Sequence, residues 1–188
     1  ARQKAAALDV RHPGNIRVFR LMLSPELSDT PSVDRAFEIA PGIGYLRIKS
    51  FEQRTGSLVK ELLEKIGGVD LKGLVLDLRE NPGGAVQAAA EIASLFLAPK
   101  QLIFSIRGRN QEEQQVRVPD TAIPYKFPMA VLVDARTASA AEILTGALQD
   151  HDRATVLGEP SYGKGLVQNV LPLSHNTGVA LTVAFYYT

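Results

Sequence analysis

Apolar positions along this chain recur in two rhythms, and the order in which the rhythms alternate sets the fold class. Short apolar runs at 45–49, 73–79, 102–106, 130–134 and 154–157 have the length and residue types of strands. Between them, stretches at 55–66, 85–97 and 140–149 place apolar residues at helical spacing, and the first stops at the Gly67-Gly68 pair. Strands alternating with amphipathic helices predict an α/β core of mostly parallel strands with flanking helices. The ends of the chain depart from that order. Residues 166–173 and 179–187, separated by a turn at Asn176-Thr177-Gly178, read as a C-terminal β-hairpin. The stretch up to about Val33 reads as short strands around 16–23 after a turn at His12-Pro13-Gly14-Asn15, too small to fold alone. Residues 107–121 form a polar stretch with no element assigned.

Composition narrows the function classes. A chain of 188 residues, 45% hydrophobic and 22% charged, supports one good core and little more than one domain. Its net charge is +1, from 21 basic and 20 acidic residues with no block of one sign, so nucleic acid is not expected as a partner. The longest apolar run, around Met129–Val133, is far too short for an integral membrane segment. The chain begins at Ala1 rather than Met, which leaves open a signal segment or a further domain outside it. The absence of cysteine excludes disulfides, a thiol nucleophile and a thiolate zinc site. His12, His151 and His175 lack metal-ligand spacing.

Three places carry candidate chemistry, each with a plainer rival. Ser139-Ala140-Ala141-Glu142 at the start of a predicted helix fits a capping box, yet a serine there also lies near unpaired N–H groups and the positive end of the helix dipole. Lys164 lies between Gly163 and Gly165, which favour close approach of another backbone, though an exposed turn lysine would look the same. A lysine acts as base for a serine only when held neutral, which takes an apolar, dry pocket that brings its pKa down from roughly 10.4. Asn81-Pro82-Gly83-Gly84 joins a strand to a helix and reads either as a permissive turn or as a cradle of N–H groups for an oxyanion.

Other patterns in these segments fail. The Gly158-x4-Gly163-Lys164 spacing suggests a phosphate loop, but Gly165 stands where a Ser or Thr would hold magnesium, and strand-like residues follow. Ser161-x-x-Lys164 would need a helix that Pro160, Gly163 and Gly165 oppose. A Ser-His-Asp set using His151 fails because twelve helical residues span roughly 18 Å.

Taken together, Thr137-Ala138-Ser139-Ala140-Ala141-Glu142-Ile143, the Gly158–Gln168 segment around Lys164, and Leu76–Gly84 with its Asn81-Pro82-Gly83-Gly84 turn resemble the carboxyl-terminal processing peptidases. These are serine proteases with a Ser-Lys dyad, and the likeness runs from about Gly42 to Tyr187. The resemblance implies a crotonase/ClpP-like core, no metal and no cofactor. By motif position it makes Ser139 the nucleophile, Lys164 the general base and Gln168 the residue that orients the lysine. The N–H groups of Ala140 and of Gly83 or Gly84 would form the oxyanion hole, and Asp150 matches an acidic position linked to activity in some members. It also implies that residues 1–33 are a remnant of a PDZ domain with its linker, and that 34–188 are a peptidase core cut short at its carboxyl end. Polypeptide substrates and an extracytoplasmic home, periplasm or cell envelope, follow from the same likeness, while homo-oligomerisation stays open. The rival readings are a non-catalytic module that binds a hydrophobic ligand on the same core, and a crotonase-like acyl-CoA enzyme.

Overall fold

The computed structural model of the chain describes residues 6–11, 18–23, 31–109, 111–174 and 177–188. Residues 12–17 of the expected N-terminal turn and strand, and His175 and Asn176 of the expected hairpin turn, lie outside these. The chain divides into two compact units, Ala1–Thr30 and Pro31–Thr188. In the first, β1 (Ala6–Arg11) pairs antiparallel with β2 (Val18–Leu23). Asp9 and Arg20 are cross-strand partners, and the guanidinium grips the carboxylate with bonds of 2.7 and 2.8 Å.

In the second unit, β3 (Val33–Ala40), β4 (Ile43–Ile48), β5 (Gly73–Asp77), β8 (Met129–Val133) and β9 (Thr155–Gly158) form a five-stranded sheet in the order β3-β4-β5-β8-β9. Only the β3–β4 pair is antiparallel; β4, β5, β8 and β9 run parallel, as the alternation of strand and helix predicts. Central β5 is buried along nearly its whole length, with Leu74 and Leu76 at its heart. Helices α1 (Thr55–Lys65), α2 (Val86–Ser94) and α3 (Ala140–Asp150) connect the strands. Each turns an apolar stripe inward: Val59 and Leu63; Ala89, Ile92 and Ala93; Ile143, Leu144, Ala147 and Leu148.

Three elements depart from the expected order. The run expected at 102–106 becomes β6 (Leu102–Gly108), which leaves the parallel sheet. It joins β7 (Gln111–Arg117), β10 (Leu166–Pro172) and β11 (Gly178–Tyr187) in a second, antiparallel sheet ordered β10-β11-β6-β7. The C-terminal hairpin is therefore part of a four-stranded sheet, fastened to β6 by pairs such as Tyr186 with Ile106 and by Phe104 edge-on to Tyr186. The polar stretch contains β7, and β3 lies where no element was assigned. Both are edge strands with mostly exposed side chains, so neither carries the apolar alternation that announces a strand. His151 joins the two layers. Its Nε2 donates to the Leu102 carbonyl at 2.7 Å, which leaves Nδ1 to accept from Gln101 Nε2 at 3.1 Å. Among the described residues no helix is long and apolar enough to cross a membrane.

One buried charge closes the carboxyl end of β5. Asp77 is fully buried and accepts from Tyr45 Oη at 2.6 Å and from Arg79 Nε and a terminal nitrogen at 3.0 and 2.7 Å. Burial pushes its carboxyl up, but the bonds from Arg79 and Tyr45 outweigh that and hold it below the usual carboxylate range. A depressed carboxyl contributes stability above its unfolded pKa of about 3.9 and loses it as pH falls through the folded value. Asp77→Asn is thus expected to cost about 2 kcal/mol at pH 7, less than a fully buried pair would because Arg79 is 52% exposed. Urea unfolding at pH 7 and pH 3 checks this: the gap between wild type and variant should shrink at the lower pH.

Candidate active site

The sheet ends at three loops. The turn between β5 and α2 carries Asn81-Pro82-Gly83-Gly84, the turn between β8 and α3 carries Ser139, and the segment between β9 and β10 carries Lys164. Parallel sheets place their sites at these carboxyl ends of strands.

Backbone groups that leave the ladder need partners, and buried side chains supply them. Asn81, fully buried, donates through Nδ2 to the Ile48 carbonyl at 2.8 Å, accepts the Gly83 N–H on Oδ1 at 2.8 Å and accepts the Ala138 N–H on its carbonyl at 2.9 Å. Thr137 Oγ1 donates to the Leu78 carbonyl at 2.8 Å. Asp134 Oδ1 accepts the N–H groups of Glu80, Arg136 and Thr137 at 2.9, 3.0 and 3.1 Å. Burial pushes the Asp134 carboxyl up, and these donors more than reverse it, so it lies below the usual range. The serine turn and the glycine turn are by these bonds one rigid piece.

The glycines are demanded by how closely the turns approach. A Cβ on Gly83, at φ 94°, would stand 2.8 Å from Ser139 Cβ and 2.9 Å from the Ala140 nitrogen. A Cβ on Gly84, at φ 138°, would stand 2.0 Å from the Phe51 carbonyl oxygen, where the two residues form a parallel bridge.

Ser139 sits at φ 58° and ψ −118°, a left-handed backbone that costs a serine about 1–3 kcal/mol. It is the N-cap of α3. The capping box with Glu142 is present, its Glu142 arm running from the Ser139 N–H to Oε2 at 2.7 Å. The next residue, Ala140, is fully buried, and among the described residues its N–H and that of Gly84 have no acceptor. The Gly83 N–H, by contrast, is given to Asn81.

The lysine segment is anchored to the same piece. Gly158, at φ 131°, crosses so near β8 that a Cβ would lie 2.0 Å from the Val133 carbonyl oxygen. The Tyr162 N–H donates to the Thr137 carbonyl at 2.9 Å. Glu142 Oε1 accepts from Ser161 Oγ at 2.8 Å and the Gly163 N–H at 2.6 Å, and Oε2 accepts the Lys164 N–H at 2.9 Å. Since that oxygen also holds the Ser139 N–H at 2.7 Å, the backbone nitrogens of Ser139 and Lys164 stand within 5.6 Å of each other. Lys164 itself is exposed, and among the described residues no hydrogen bond joins its Nζ to Ser139 Oγ.

The remaining sequence candidates fall at varying distances. Gln168 lies on β10 at a bulge, opposite Thr182 and exposed. Asp150 is exposed at the far end of α3 from Ser139, about 16 Å along the helix axis. Asp134 and Glu142 carry more of the site's geometry than sequence reasoning gave them. The capping-box spacing marked Glu142, but only as a cap. Among the described residues no group of three or more His, Asp or Glu side chains is arranged to hold a metal ion.

A strained serine on a strand-to-helix turn, with a free N–H on the following residue and a glycine turn packed against it, is the layout of the serine hydrolase class. The chain belongs to peptidase family S41, which it matches over residues 42–188. It is 39% identical over 169 residues to carboxyl-terminal-processing peptidase 2, chloroplastic, of Arabidopsis thaliana, covering 90% of this chain and 33% of that protein. It is 36% identical over 198 residues to a carboxyl-terminal-processing protease of Synechocystis sp., covering 97% of this chain and 46% of that protein. Among solved structures it matches the photosystem II D1 C-terminal processing protease at 29% identity with a TM-score of 0.74, over 98% of this chain and 51% of that one. The chain thus spans between one third and one half of the length of these relatives.

Backbone strain at Ser139 is measurable apart from any activity. Ser139→Gly relieves a left-handed serine at the loss of a few tenths of a kcal/mol in capping, so it should raise stability by about 1 kcal/mol, while Ser139→Ala keeps the strain and should lower it. Chemical denaturation of the three proteins decides this, and equal destabilisation by both substitutions would show that the serine backbone is unstrained.

Proposed function

We propose that this chain is the core of a serine endopeptidase that cuts polypeptides near their carboxyl ends, preferring apolar residues around the cut. The observation that carries the reading is the strained Ser139, wedged against Gly83, beside an unengaged Ala140 N–H and a loop that brings the Lys164 backbone within 5.6 Å. Family membership and the names of the relatives point the same way.

In this reading Ser139 is the nucleophile and Lys164 the general base. The resting lysine is exposed, so its side chain must swing toward Ser139, and a peptide laid over the cleft supplies the dry surroundings a neutral amine needs. The amine takes the Ser139 Oγ proton as Oγ bonds to the scissile carbonyl carbon. The resulting oxyanion is held by the Ala140 N–H and, as second donor, the Gly84 N–H, because Gly83 has committed its own to Asn81. Collapse breaks the C–N bond, and the Lys164 ammonium returns the proton to the leaving amine. Water, deprotonated by the same lysine, then releases the acyl group from Ser139. Gln168, four residues past Lys164 on the strand the loop leads into, orients the lysine. Asp150, at the far end of α3, takes no direct part.

The same relationship supports a crotonase/ClpP-like description of the core, a PDZ remnant for the residues up to Val33, and an extracytoplasmic location. For the full-length protein, Ser139→Ala and Lys164→Ala should each reduce cleavage of an unfolded protein substrate by about 1,000-fold or more. Labelling by a fluorophosphonate should map to Ser139 in peptide mass spectra. Cleavage at the wild-type rate by either variant would remove the dyad, and absence of cleavage by the wild type would give the lead to a binding module on the same core.

A further inference from the structure

Resting on that reading, we propose that Glu142 is a positioning residue whose carboxylate latches the lysine-bearing segment 161–164 to the nucleophile turn. A helix cap explains only one of its bonds. Capping requires the Ser139 N–H on Oε2, at 2.7 Å, and nothing more. The other three donors, Ser161 Oγ and the N–H groups of Gly163 and Lys164, come from a segment 19 to 22 residues away in sequence. Four donors converging on one carboxylate use most of its acceptor capacity, and among the described residues Glu142 forms no ion pair that would compete for it.

The segment has little else to fix it. Residues 159–165 are exposed, and a Cβ on Gly163 would meet nothing within 4 Å. Its other ties are the Glu159 and Tyr162 N–H bonds to Val133 and Thr137, at 3.3 and 2.9 Å, and the bond from the Tyr186 N–H to the Gly165 carbonyl at 2.9 Å. Among the described residues none of 159–165 is buried, so little packing holds the lysine backbone, and the Glu142 carboxylate is the contact that ties it directly to the Ser139 N–H. The helix that carries Glu142 is secured separately by buried Ile143, Leu144, Ala147 and Leu148. Loss of the latch therefore loosens the lysine segment and leaves α3 in place. In Glu142→Gln one acceptor becomes an NH2 group, which faces N–H donors it cannot bond.

The test uses the full-length protein with an unfolded protein substrate, wild type beside Glu142→Gln and Ser161→Ala, with amide exchange followed in all three. Glu142→Gln should lower kcat about 100-fold with KM nearly unchanged, as expected when a catalytic group is misplaced by about 1 Å. Exchange at Gly163 and Lys164 should accelerate while the α3 amides of Leu144 and Leu148 stay protected. Ser161→Ala removes a loop-side donor and leaves the cap intact; it should lower kcat by about 3- to 10-fold, again without a change in KM. Wild-type kcat in both variants, or undiminished protection of Gly163 and Lys164 in Glu142→Gln, would overturn the latch while leaving the peptidase reading intact. Failure of the wild type to cleave and of Ser139 to react would overturn the peptidase reading, and the exchange data would still decide whether Glu142 holds the segment.

Discussion

Two turns leaving adjacent strands of a parallel sheet must satisfy their backbone groups without water, and here each satisfies the other. Asn81 gives its carbonyl to the Ala138 N–H, Thr137 gives its hydroxyl proton to the Leu78 carbonyl, and Asp134 collects the N–H of Glu80 along with two from its own turn. An unpaired buried polar group costs about 1–3 kcal/mol, so the arrangement is costly to break at Asn81 or Thr137, both fully buried. This cross-bonding fixes the glycine turn against the serine turn, and everything chemical about the site presupposes it.

Strain at Ser139 is intelligible only in that setting. A serine held at φ 58° would relax if its neighbours allowed it. Ala138 is tied to Asn81, Ala140 is buried, and Gly83 closes the space beside the serine Cβ, so the turn has no other way to go. The same closeness explains why a glycine is needed opposite, and among the described residues the Ala140 N–H is left without an acceptor. Under the proposed reading, stability given up in the backbone reappears as a donor for the oxyanion.

How much of this could be read from residues alone depended on range. The parallel core was legible because β5 and β8 are buried runs and the helices between them have regular apolar spacing. The edge strands β3 and β7 were not, because a strand with mostly exposed side chains has no apolar alternation to show. At the site, Ser139 with Glu142 was legible as a helix start since both residues lie within one turn. The further bonds of Glu142 were not, because their donors come from another loop and nothing in a four-residue motif announces them. Asp150 shows the opposite case. The rise per residue that separates His151 from Ser139 separates Asp150 from it nearly as far, so its distance from Ser139 was available from spacing alone.

The three loops are not held alike, and the difference bears on how the site works. The serine and glycine turns are bonded to each other through buried groups, while the lysine segment lies on the surface and leans on one carboxylate and a few backbone bonds. A nucleophile and its N–H donors must keep their places to about half an ångström. A base that has to be dry to be neutral is better brought in with the substrate, because an amine kept buried and ready would cost stability in the resting protein. Under the proposed reading, rigid turns for Ser139 and an exposed segment for Lys164 meet both demands.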